Sequence, residues 1–209
     1  MPNSRKKLRY RDEYEEPFIN IPVQKLTLYL LLFSLTILFI SFSIGYIYTR
    51  FQEGANGVYI PPIFIANSIL LLASSWTINL ANKAYKADDT RRYQWALWGT
   101  FLLTLVFLGL QIIGWTMYFD AFIGANIGNG RNYLYAISGL HFAHVIGGLP
   151  FLLLFMYSAY FRMKEPVSVL VYFSDPNKLM RLQLLTVYWH FLDGLWLFLV
   201  GFFLLNMLW

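Results

Sequence analysis

Four ionisable side chains sit where chemistry could be done: His141 and His144 in GLHFAHVIGG (139–148), and His190 and Asp193 in YWHFLDGL (188–195). Imidazoles in apolar runs can ligate a metal or heme, relay protons, or hydrogen-bond to a neighbouring helix. His141 and His144 lie on one predicted helix, so they cannot flank a heme together. His190 with either of them could, which defines one alternative, a single-heme membrane cytochrome. A mixed site of three His and one Asp is allowed by residue type. Depth along the helices spreads the four side chains too widely for that site.

Depth follows from the helical rise. His144 lies roughly 16 Å from Tyr133 and Asp193 roughly 15 Å from Gln183, each measured from the start of its predicted helix. Both fall near the middle of a bilayer, and consecutive helices usually neighbour each other. A His144–Asp193 hydrogen bond or ion pair is therefore expected. His190 shares a face with Asp193, three residues on. Further polar groups at depth are Asn67, Ser74, Ser75 and Thr77 in one segment and Gln111 in the next. Gly139, Ala143 and Gly147 form a small-xxx-small row that allows close backbone approach. Pro150 follows and predicts a kink near Ile146 or Gly147. On this reading the imidazoles serve as glue between helices, in this chain or with a partner.

The elements that must position these groups are transmembrane helices. The 209 residues suffice for one domain. They are 58% hydrophobic, 20% aromatic and 13% charged, where soluble domains carry about 25% charged residues. Five apolar segments reach the roughly 20 residues that a bilayer requires: about 26–48, 63–80, 93–119, 133–161 and 182–208. The expectation is an all-α bundle (25–209) behind a polar segment (1–24) that lacks the features of a cleaved secretory signal. The connections are short, polar or glycine-rich, and too small for a soluble catalytic unit.

The net charge of +5 is distributed as a topology signal, so no nucleic-acid partner is expected. Arg5, Lys6, Lys7, Arg9, Arg11 and Lys25 precede the first segment, Lys83, Lys86, Arg91 and Arg92 follow the second, and Arg162, Lys164, Lys178 and Arg181 follow the fourth. The opposite side has Arg50 and Arg131. The excess of Lys and Arg places the N-terminus in the cytoplasm and the C-terminus outside. Aromatic residues near the predicted ends read as interfacial belts. The absence of cysteine excludes disulfides, iron–sulfur clusters and thiol catalysis. The sequence has no phosphate-binding loop, no G-x-S-x-G elbow and no H-E-x-x-H. Asp88–Asp89 reads as a solvated loop end. A small transporter is a third class, but no inverted repeat or paired broken helices support it.

The two histidine stretches together resemble subunit III of the heme-copper terminal oxidases. The family's G-x-H-x-x-H-V-I-x-G pattern is matched at Gly139, His141, His144, Val145, Ile146 and Gly148, and its Y-W-H-F-x-D pattern at Tyr188, Trp189, His190, Phe191 and Asp193. Residues 61–81 resemble its N-x-x-x-L-L-x-S-S-x-T helix, and 99–115 the next helix with F-L-x-x-Q. The resemblance runs from about residue 25 onward, in family order. It implies a non-redox accessory subunit of a proton-pumping oxidase in the bacterial plasma membrane. Such a subunit binds neither heme nor copper, packs on the catalytic subunit I, stabilises it and sustains its proton uptake. Heme and copper then belong to partner subunits. Bound phospholipid, membrane lipids and a larger respiratory supercomplex are further implied associations. Longer relatives have seven helices and a lipid cleft between the first two and the rest. Five helices match the short bacterial forms of cytochrome c and quinol oxidases, and the donor is not fixed by this chain. Those longer relatives also carry a buried glutamate on the helix corresponding to 26–48, a segment here without any acidic residue.

Overall fold

A computed structural model of the protein describes residues 22–54, 57–121, 129–163 and 165–208. The polar N-terminal segment, the basic residues before Lys25 and most of the glycine-rich connection before residue 129 lie outside the described residues. All described regular structure is helical: α1 Val23–Glu53, α2 Pro62–Lys86, α3 Thr90–Ala121, α4 Gly130–Phe161, α5 Pro166–Phe173 and α6 Pro176–Leu208. Five of these, all except α5, are long and apolar enough to cross a membrane. The helices extend beyond the apolar runs because polar residues at the ends continue the turns. The short α5 falls in a stretch read as a connection, where Pro166 at the first helical position starts one.

The local sequence explains several of these boundaries. Pro62, Pro166 and Pro176 open their helices, where a missing N–H is no loss. Gly54 ends α1 in the left-handed region, φ 57°, where glycine carries no Cβ penalty. The turn between α2 and α3 is tight, with Asp88 at φ 53°. Asp89 then accepts a hydrogen bond from the Arg92 N–H at 3.0 Å and caps α3. Asp175 does the same for α6 through the Asn177 N–H. Pro150 is inside α4 without ending it.

Helices α2, α3, α4 and α6 pack in a closed ring, each touching the next, and α1 leans on α4 and α6. One ring side chain from each ring helix meets at the centre: Phe64, Phe107, His141 and Trp196. A second apolar cluster fills the end that carries Lys83, Lys86 and Arg92. There Tyr85, Tyr93, Tyr172 and Phe173 fix α5 across the helix ends. The Tyr85 hydroxyl donates to the Tyr172 carbonyl at 2.7 Å. Burial raises the Tyr172 hydroxyl's pKa above the ordinary phenol value, which keeps it neutral in this cap. Large apolar side chains such as Leu30, Phe33, Ile69 and Leu154 point outward, as a lipid-facing surface requires.

Candidate functional site

Polar side chains inside the bundle tie specific helix pairs together. Asn67 on α2 donates to the Gln111 side-chain oxygen on α3 at 3.2 Å, with both residues fully buried. Thr77 and Thr100 join the same two helices at 2.8 Å. Between α2 and α6, the Trp189 indole N–H donates to Ser74 at 3.0 Å, and the Asn82 amide donates to Thr186. The Trp115 indole N–H reaches Ser138 across α3 and α4. Each bond removes an otherwise unsatisfied group from hydrocarbon, where partners are scarce. The sequence reading placed Asn67 and Gln111 at depth, and the fold makes them partners.

That pair supports a double-mutant prediction. Asn67→Leu alone should cost about 1–3 kcal/mol of stability, because it leaves Gln111 buried without its donor. Combining it with Gln111→Leu should recover most of the loss, since two apolar groups leave nothing unpaired. Denaturant titration of the four proteins in detergent measures the coupling. Additive losses would rule out a direct interaction.

The three histidines face three different neighbours. His141 is fully buried among Phe107, whose ring centroid is 6.0 Å away, and Trp196, at 5.2 Å and tilted by 36°. Neither ring nitrogen has a partner among the described residues. His144 turns toward α1, where it meets the edge of Phe39 at 6.4 Å, and its Nδ1 lies 2.6 Å from the Leu140 carbonyl of its own helix. His190 turns toward α2, with Nδ1 2.5 Å from the Ser75 hydroxyl and Nε2 3.0 Å from the Asn79 side-chain oxygen. Asp193 is buried, and its Oδ2 has no hydrogen-bond partner among the described residues.

The expected His144–Asp193 pairing does not form. Helices α4 and α6 do pack together, but it is Tyr188 of α6 that reaches α4, donating to the His144 carbonyl at 2.9 Å. Trp189 and His190 lie on the α2 side. Rise per residue fixes depth, whereas azimuth depends on which neighbours flank the helix. The glycines of the small row make no close approach to another helix of this chain. A Cβ added at Gly139 or Gly147 would meet nothing within 4 Å, and Ala143 is exposed. The close approach occurs at Gly148, where a Cβ would come within 2.9 Å of Tyr188 and 3.2 Å of Trp189.

Sequence reasoning missed Asn79, Asn82 and Trp196. The first two were legible as a stripe with Ser75 at helical spacing (i, i+4, i+7). Trp196 carried no signal apart from its bulk.

Chemically, Ser75, His190 and Asp193 are the residue types of a hydrolytic triad, but their arrangement is wrong. A triad places imidazole between carboxylate and hydroxyl, whereas here the two His190 nitrogens meet Ser75 and Asn79 and neither meets Asp193. No three His, Asp or Glu side chains among the described residues converge as a metal ion needs. His141 and His190 face α3 and α2 respectively, and the cavity beside Phe64 and Trp196 measures about 10 Å³. Small-molecule sites typically occupy about 300–1,000 Å³, so a porphyrin has no room at the ring centre.

Residues 23–209 match the family model described as cytochrome c oxidase subunit III. The chain belongs to that family. Subunit III relatives include "Cytochrome c oxidase subunit 3" of Thermostichus vulcanus, 28% identical over 68% of this chain and 63% of the relative. The protein of the same name from Alkalihalophilus pseudofirmus is 30% identical over 69% of this chain and 66% of its own length. "Probable quinol oxidase subunit 3" of Staphylococcus saprophyticus is 25% identical over 66% and 64%. The chain thus spans less than two thirds of the length of each of these subunit III relatives. Membership in this family makes the chain a membrane-spanning subunit of an oxidase complex, and it does not favour the single-heme cytochrome.

Proposed function

We propose that the chain is the non-redox accessory subunit of a proton-pumping heme-copper terminal oxidase. It packs on the catalytic subunit, stabilises the oxygen-reducing centre and supports proton uptake there. The observation that carries this reading is the way the imidazoles are used. His141 is packed between aromatic rings, and His190 is bonded through both nitrogens to α2. Side chains committed in this way hold helices together and leave no ligand pair for electron transfer. The open row of Gly139, Ala143 and Gly147 suits a partner helix. Heme and copper belong to the partner subunits.

The end of the bundle bearing Lys83, Arg92, Lys178 and Arg181 is the cytoplasmic one under the positive-inside rule. That orientation puts the C-terminus outside the bacterial plasma membrane. The same basic end suits anionic phospholipid headgroups, and the complex can belong to a larger respiratory supercomplex. Relatives named for cytochrome c oxidases and for quinol oxidases both match, so both donors are compatible with this role.

The test is purification with a tag on this chain. Mild extraction should bring down a heme- and copper-bearing subunit, and the chain stripped of partners should show no Soret band. A Soret band that stays with the stripped chain and disappears in His190→Ala would instead establish the cytochrome reading.

A further inference from the structure

Helix α5 reads PVSVLVYF and carries no charged side chain. Its inner face, Val169, Tyr172 and Phe173, packs into the apolar cluster at the basic end of the bundle. Val167, Leu170 and Val171, at i, i+3 and i+4, form an outward row and are 72, 66 and 63% exposed. A helix that is apolar on opposite faces is normally buried on both. Eight residues with three valines are also too short and too β-branched to stay helical in water by themselves. The outward row therefore needs an apolar neighbour that the described residues do not supply.

Side-chain contacts fix the height of α5 on the bundle. The Gln94 amide donates to the Ala159 carbonyl at 2.7 Å, which sets the start of α3 level with the end of α4. Trp95 and Tyr160, the next residues along each helix, are both exposed. Exposed Trp and Tyr at one height of a membrane bundle mark the headgroup level. Tyr93, roughly 3 Å along α3 from Trp95, touches Tyr172 and Phe173 of α5, with ring centroids 6.3 and 5.9 Å away. Lys178 fastens the base of α5 to α6, with Nζ 4.3 Å from the centre of the Tyr172 ring and 3.7 Å from the Asp175 carboxylate. The helix thus lies at the height of the exposed aromatic residues.

We propose that α5 is an interfacial helix embedded in the lipid leaflet at the basic end, with Val167, Leu170 and Val171 among the upper acyl chains. Lipid is the apolar phase that already surrounds the five crossing helices at this height. Arg162 before α5 and Arg181 after it are exposed, and such flanks suit anionic headgroups. The helix is then held from both sides, by the tyrosine cluster beneath it and by acyl chains above. This adds a membrane-embedded element to the reading of the basic end as the one that meets headgroups, and it rests on that reading. It does not depend on the accessory role in an oxidase.

The test uses the absence of cysteine in the chain, which lets a single introduced cysteine carry a fluorophore without background. Leu170→Cys, Ala87→Cys in the exposed turn after α2 and Leu154→Cys on the outer face of α4 are labelled in the full chain. Each is placed in nanodiscs of equal parts phosphatidylcholine and phosphatidylglycerol. Iodide in the water should quench the Leu170 label at least about threefold less than the Ala87 label, as expected of a face sunk roughly 5–10 Å into the headgroup–acyl boundary. A lipid nitroxide near the top of the acyl chain should quench the Leu170 label more than one near the chain's middle. The Leu154 label, roughly 8 Å inward of Ala159 along α4, should show the reverse order. If Leu170→Cys does not fold or label, Val167→Cys decides in the same way. A label at α5 as open to iodide as Ala87 overturns the proposal, because the row then faces water. A label closed to iodide and to both nitroxides also overturns it, because protein then covers the row. An Ala87 label closed to iodide would remove the headgroup reading of this end and the proposal with it.

Discussion

Replacing Trp196 by alanine should destabilise the folded chain by about 3 kcal/mol, the low end of the Trp→Ala range for buried sites. The indole is 1% exposed, and it touches Phe64 of α2, Phe107 of α3 and His141 of α4, with centroids 5.6, 5.3 and 5.2 Å away. It is thus the one side chain in the central set that contacts the other three ring helices. Removing it leaves a cavity that no single neighbour can fill, because each belongs to a different helix. The low end applies because lipid outside the bundle is as apolar as its interior. What is lost is packing, with little transfer free energy. Trp95, 70% exposed, is the control, and its alanine variant should change stability by less than about 0.5 kcal/mol. Denaturant titration in detergent measures both. Equal losses would mean that the centre of the ring is not where cohesion resides.

Gly148→Val should be the more disruptive of two neighbouring substitutions, while Gly147→Val should be silent in the isolated chain. At Gly148 the added carbon would come within 2.9 Å of a Tyr188 ring carbon and 3.2 Å of Trp189. Neither ring can retreat freely: Tyr188 donates to the His144 carbonyl and Trp189 to Ser74. Valine adds two methyl groups beyond that carbon, so overpacking of about 1–3 kcal/mol and loss of the Tyr188 bond are expected. At Gly147 the same carbon meets nothing within 4 Å. Gly147→Val should therefore keep the stability of the separate chain within about 0.5 kcal/mol. If the open row seats a partner helix, it should lower the yield of assembled complex. Thermal unfolding of the chain and the yield of co-purified partner separate the two effects. Comparable unfolding temperatures for the two variants would show that the α4–α6 approach is not made at Gly148.

The number and type of elements were legible because hydrocarbon imposes a simple demand. Every backbone group must be bonded within its own segment, so about 20 apolar residues can only be a helix. Five such runs appear in the sequence, and five helices long and apolar enough to cross a membrane appear among the described residues. The level of a polar residue along its helix was legible for a related reason, since rise per residue is constant. Asn67 and Gln111, each in the apolar part of its run, are buried and bonded to each other. The membership signalled by the two histidine motifs is matched over residues 23–209.

Azimuth was not legible. Whether Asp193 meets His144 depends on which helix lies on each side of α6, and that follows from the packing of all four ring helices at once. The same holds for Gly147 and Gly148. They are adjacent in sequence and identical in chemistry, but about 100° apart around α4, so one faces open space and the other faces Tyr188. Pattern alone set the elements, their order and their polar levels. Tertiary packing decided which side chains meet, because contacts between helices depend on rotation about each axis, and a run of apolar residues leaves that rotation free.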